Sequence, residues 1–170
     1  MTDNPSSPNG GGGQDEAAAA AAQQQAPRLS ILTQYIKDLS FENPRAPYGA
    51  QLGQTRPEIQ IQVDVRVTQL GEGQHEVVVD LNIDAKTGEN QVFLVELAYG
   101  GLFQVANIPQ ESLQPVLLVE CPRLLFPFAR RIVADCTRDG GFPPLMIDPI
   151  DFLTLYRRRL QQAAPATAQA

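Results

Sequence analysis

Apolar residues occupy every odd position from Ile59 to Val67, with polar or charged residues between them. A period of two sets one face of a strand against a core and leaves the other in water. Residues 76–85 repeat the pattern through Val77, Val79, Leu81, Ile83 and Ala85, broken only by Val78. Gly71-Glu72-Gly73-Gln74 separates the two runs, and Thr87-Gly88-Glu89-Asn90 follows the second; both read as turns. Residues 91–99 predict the next strand, and the short links imply an antiparallel meander. An earlier strand is predicted over 29–42, where Leu29, Ile31, Tyr35, Leu39 and Phe41 share one parity. The link after it, Asn43 to Pro57, holds three prolines and two glycines. That is too long for a tight hairpin, so it must cross the sheet or an edge.

Helical spacing takes over in the second half. Pro122 suits a helix N1 position, and Leu125, Phe128, Ala129, Ile132 and Cys136 follow at i, i+3, i+4 intervals. Pro127 would bend this helix or mark its true start. Gly140-Gly141 ends it, and Pro143-Pro144 forbids continuation. A last helix is expected with Asp148 as N-cap, Pro149 at N1 and Asp151 in the first turn. Its apolar stripe is Phe152, Leu155, Tyr156 and Leu160, and Arg157, Arg158 and Arg159 suit its end. Strands first and helices after them define an α+β class: a four-stranded antiparallel sheet with helices packed on one face.

The predicted strand 91–99 breaks the one-sided rule. Phe93, Val95, Leu97 and Tyr99 lie on one parity; Val92, Leu94, Glu96 and Ala98 lie on the other. Either the strand is buried between sheet and helix within one subunit, or one face makes a subunit contact or a ligand groove. Val95, Leu97 and Tyr99 are the candidates for a subunit contact.

Composition trims the folding unit. Residues 1–28 hold a glycine run (Gly10 to Gly13) and an alanine run (Ala17 to Ala22), and 161–170 are Ala, Gln, Pro and Thr. Such segments bury too little apolar surface to offset their ordering entropy and are expected to be disordered. One domain over 29–160 remains. The longest uncharged apolar stretch, Ser112 to Val119, is far short of the ~20 residues a bilayer needs. Asp3 and the lack of a basic start argue against a signal peptide, so a cytoplasmic location is expected. The net charge of −6 is uneven: residues 1–111 carry 14 acidic and 6 basic residues, while 112–170 carry 5 acidic and 7 basic. Nucleic-acid binding needs clustered Lys and Arg and is disfavoured; a basic partner, or one met by shape, is expected.

Little in the chain reads as chemistry. His75 is the only histidine and follows a turn, which predicts a solvated side chain rather than a general base. Cys121 and Cys136 are 15 positions apart without a second pair, so no zinc site or disulfide framework is indicated. No phosphate loop, dinucleotide fingerprint or nucleophile elbow is present. Neither cofactor nor metal is expected, and a non-enzymatic binding protein is.

Four segments together resemble one family. Residues 121–131, Cys-Pro-Arg-Leu-Leu-Phe-Pro-Phe-Ala-Arg-Arg, resemble the signature helix of the bacterial export chaperone SecB. Residues 138–152, which include Gly140-Gly141-Phe142-Pro143-Pro144, resemble the segment that follows it. Tyr35 to Pro44 resembles the family's first strand, and Phe93 to Phe103 its fourth. The resemblance covers about Leu29 to Leu160. It implies a homotetramer built as a dimer of dimers, which would account for the two-sided strand. It also implies a chaperone that captures unfolded preproteins without nucleotide and docks on the SecA motor ATPase. The motor-binding positions of the family fall on Asp38, Glu42, Leu94 and Glu96, which would receive a basic partner such as the motor's zinc-binding C-terminal tail. The implied client groove has Tyr48, Leu52, Phe142, Phe152 and Leu155 as candidates. Where other members often have a tryptophan in the crossover loop, this chain has Gln54-Thr55-Arg56. A narrower alternative is a dedicated chaperone of one toxin or antitoxin.

Overall fold

The computed structural model describes residues 26–47 and 56–163. Most of the two tails lies outside them, as do Tyr48 and Leu52. Four strands come first: β1 (Arg28–Glu42), β2 (Glu58–Gly71), β3 (Gln74–Thr87) and β4 (Asn90–Ala106). They form one antiparallel sheet in the order β1-β4-β3-β2. The link after β1 therefore carries the chain to the far edge. Two short turns then bring β3 and β4 back across the sheet.

All four strands outrun their sequence bounds, β1 by a single residue. β4 continues through Gly100-Gly101 rather than stopping there. These glycines allow close approach, because an added Cβ would meet the Tyr35 ring at 2.8 Å at Gly100 and Leu125 Cδ2 at 2.7 Å at Gly101. Two register shifts in β1, at Ile31/Thr33 and Ile36/Asp38, break its simple parity. Ile36 thus pairs with Tyr99 and Tyr35 with Gly100. Tyr35, assigned by sequence to the Leu29 and Phe41 face, lies on the opposite one.

Helical structure begins earlier than Pro122. A continuous run comprises α1 (Gln110–Pro115), a π-helical turn (Val116–Glu120) and α2 (Cys121–Asp139). The wider π turn stands just where the Pro122 ring would crowd the carbonyl four residues back. Pro127 neither starts nor ends α2. Its end is the glycine stop: Gly141 adopts φ +87, Gly141 N–H bonds Arg138 C=O and Phe142 N–H bonds Thr137 C=O. Those two bonds are the Schellman arrangement, which satisfies carbonyls the helix leaves open. The last helix, α3 (Phe152–Ala163), starts three residues later than predicted. Its cap is Asp151 rather than Asp148, since Asp151 Oδ1 accepts the Thr154 N–H at 3.0 Å. It also runs past the expected boundary at 160.

The core lies between the sheet and the helices. Val77, Val79, Leu81, Ile83, Val95, Leu97 and Phe103 from β3 and β4 meet Leu117, Leu125, Ala129 and Val133, all with almost no exposure. Only the two central strands are fully covered. Burial of this apolar surface is the main stabilising term.

Candidate binding surfaces

The sheet face turned away from the helices carries most of its strands' charge. Cross-strand partners share a face, so the register Asp38↔Ala98, Ser40↔Glu96 and Glu42↔Leu94 puts Asp38, Glu42, Leu94 and Glu96 on one surface of two adjacent strands. Asp38, Glu42 and Glu96 are exposed and Leu94 is half-buried. Glu96 accepts a hydrogen bond from Asn82 at 3.2 Å. Among the described residues no cation pairs with Asp38 or Glu42, whereas neighbouring carboxylates are paired: Arg66 with Asp80, Lys86 with Asp84 and Lys37 with Glu76. The Lys37 hydrogen bonds, then that of Tyr35, hold the Glu76 carboxyl below its ordinary pKa. Burial first, and the bond to Glu76 second, push the Tyr35 phenol up to about 12, so it stays a neutral donor. Lying over Gly100, Tyr35 leaves neighbouring Val78 buried although it belongs to this open face.

The helix-side face is covered in the middle and bare at both edges. Val95, Leu97 and Tyr99 all lie on the covered side, 0%, 2% and 8% exposed. Their assignment to a subunit contact is corrected: α2 already occupies that face within one chain. Apolar residues left exposed towards the β1 edge of this face are others, among them Ile31, Ile36 and Leu39 on β1 and Leu124 and Phe128 on α2. Phe128 stacks on Tyr99, ring centroids 6.4 Å apart. Ile31 and Leu39 were visible in the sequence as one strand parity, whereas Ile36 has the other parity and reaches this face only through the register shift at Ile31/Thr33.

At the other edge, β2 and α3 border a half-open cavity of about 420 Å³. Val63, Val65, Leu118, Leu155 and Tyr156 supply its apolar lining, with Arg158, Arg159 and Gln162 at its polar side. Ile59 and Ile61 extend the apolar surface along β2 and are exposed. Among the sequence candidates for a groove, Leu155 lines this cavity. Phe142 is half-buried elsewhere, against Phe93 at 5.1 Å. Phe152 is corrected to core: it is 1% exposed and meets Phe126 edge-on at 5.9 Å. The odd-position alternation of β2 carried the signal for Val63 and Val65, and the missed partner was Leu118, inside the π turn.

Chemically reactive side chains are quiet here. His75 is buried, correcting the solvated reading. β3 begins at Gln74, so His75 already lies in the strand, opposite Phe103, and its Nδ1 has no partner among the described residues. Burial pushes the Cys121 thiol up to about 12, and burial together with Asp139 and Asp135 raises that of Cys136. Neither offers a thiolate at neutral pH. Among the described residues no three His, Cys, Asp or Glu side chains group as a metal site, and no helix is long and apolar enough to cross a membrane.

A one-sided α+β sheet with an acidic open face and an apolar edge groove defines a class of protein-binding module. The family model described as "Preprotein translocase subunit SecB" matches residues 22–163. The chain is 54% identical over 146 residues to the protein-export protein SecB of Parvibaculum lavamentivorans, covering 86% of this chain and 87% of that one. It is 52% identical over 166 residues to that of Maricaulis maris, covering 98% and 91%. A solved SecB-like chaperone of Mycobacterium tuberculosis, in complex with an antitoxin peptide, has the same fold: TM-score 0.60, 19% identity, covering 81% of this chain and 98% of that one. The chain belongs to the SecB family of protein-export chaperones.

Proposed function

We propose that the protein holds unfolded precursor proteins in the cytoplasm, keeps them competent for translocation and passes them to the SecA motor ATPase. The observation that carries this reading is the β2–α3 groove with its exposed apolar extension, Ile59 and Ile61, on a SecB-family chain. An apolar groove beside an unpaired strand edge accepts many sequences, because it reads backbone and alternate side chains rather than one motif. No reaction is required of it. Delivery uses the opposite face, where Asp38, Glu42, Leu94 and Glu96 adjoin; an exposed acidic surface suits the basic zinc-binding tail of the motor. Assembly as a homotetramer, a dimer of dimers, would cover Ile31, Ile36 and Leu39 with Leu124 and Phe128, which one chain leaves bare.

Relatives at half identity bear the export name, which favours a general export role over a dedicated antitoxin chaperone. The test is dilution of a chemically unfolded, slow-folding secretory precursor into buffer with the protein and no nucleotide, followed by light scattering. Suppression of aggregation near one tetramer per client is expected. Unimpeded aggregation in the presence of a well-folded tetramer refutes the general role.

A further inference from the structure

Strand β2 is an edge of the sheet. In an antiparallel pair, alternate residues turn both backbone groups toward the neighbour or both away from it. Val65 turns both away: its N–H bonds Asp64 Oδ1 at 2.8 Å, and its C=O accepts from Arg159 Nη1 at 2.8 Å. The other guanidinium nitrogen, Nη2, stands 3.5 Å from the same Asp64 oxygen. Two side chains, one from the strand and one from α3, thus close a ring over a single backbone position.

The same phase turns the backbone groups of Ile59, Ile61, Val63 and Val67 outward. Among the described residues none of these has a hydrogen-bond partner on that side, so among them the ring is what interrupts the open edge. Unpaired edges invite added strands, and proteins commonly blunt them with charge. Here the blunting falls inside the groove, since Val63, Asp64, Val65, Leu155, Tyr156 and Arg159 all line the cavity. It is also lightly held. The Arg159 and Asp64 side chains are 49% and 63% exposed, and an ion pair so exposed contributes little and weakens with salt.

We propose that Asp64 and Arg159 form a releasable clasp that controls how far an extended client segment pairs with β2. The occupant is an extended stretch of unfolded chain with apolar side chains at alternate positions. It matches an edge whose outward-facing residues also carry the groove-side apolar side chains. With the clasp closed, backbone pairing is confined to Ile59 through Val63. With it open, Val65 joins and pairing runs on toward Val67. This rests on the client-holding function proposed above.

The test titrates a fluorescent, unstructured peptide of alternating apolar residues onto the full chain and follows anisotropy. Arg159→Gln releases the Val65 carbonyl and should tighten binding about threefold to tenfold, the worth of one hydrogen bond no longer displaced. Asp64→Asn keeps an acceptor for the Val65 N–H but removes the ion pair; it should tighten binding in the same direction and carries the test if Arg159→Gln does not fold. Added salt should tighten binding to the unsubstituted protein and leave Arg159→Gln unmoved. Folded variants that bind as the unsubstituted protein does, or more weakly, overturn the clasp while leaving client holding intact. Failure of the unsubstituted protein to bind any such peptide overturns client holding, and the clasp with it.

Discussion

Phe152 and Leu155 stand three residues apart on α3 and have opposite fates. The Phe152 ring is 1% exposed against Phe126, whereas Leu155 is half-buried at the cavity wall. Truncating Phe152 to Ala removes a fully packed ring and should cost about 3–5 kcal/mol, read as a lowered urea midpoint. Leu155→Ser should leave the midpoint nearly unchanged and weaken client binding; a converse result would exchange their roles. The amphipathic stripe of α3 was legible in the sequence, but helical spacing ranks neither residue above the other, because depth depends on what packs opposite. Tyr35 was misplaced for a related reason. Its parity put it with Leu29 and Phe41, and only the register shift at Ile31/Thr33 turns it to the open face. A bulge of this kind has no reliable mark in a single sequence.

The elements were legible where their ends are chemical. Gly140-Gly141 before Pro143-Pro144 states a helix stop, and the stop is there. Starts were harder. Pro122 looked like an N1 proline, yet the helical run begins at Gln110 and passes it through a π turn. Asp148-Pro149 looked like the start of α3, yet Asp151 takes that role with two bonds to Thr154, at 3.0 and 2.7 Å. Those bonds, the Thr154 hydroxyl first, hold the Asp151 carboxyl below its ordinary pKa. Asp151→Ala should therefore fray the first turn of α3, and amide exchange there should quicken while that of α2 stays unchanged. Equal acceleration in both helices would count against a local cap. The buried Thr137 hydroxyl secures the segment between them, accepting the Leu145 N–H at 2.9 Å.

At the scale of the whole molecule, the two sheet faces differ in character. One supplies the core and, at its edges, apolar surface; the other is acidic and open. Asp38→Ala with Glu42→Ala removes two exposed carboxylates that no described cation pairs. Motor affinity should fall sharply, chiefly through a slower association that salt would mimic. Client binding and the urea midpoint should be unchanged. Calorimetry with the isolated motor tail checks this, and an unaltered affinity would remove these residues from the docking face. Fold class and strand order of appearance were readable from the chain, whereas the acidic set was offered by the family resemblance. The edge clasp at Val65 was not readable, because it joins Asp64 to Arg159 across 95 positions with no local pattern to announce it.

The order β1-β4-β3-β2 has a consequence for the birth of the molecule. The first strand made is an edge whose neighbour is the last made, and Gln34 waits for Tyr99, 65 residues downstream. At ribosomal rates of about 5–20 residues per second, that is roughly 3–13 s during which β1 has no sheet to join. The hairpins β2–β3 and β3–β4 need no such delay, so they can close while β1 still trails. A chain of this topology is itself, for some seconds, a nascent polypeptide with an unsheltered apolar strand.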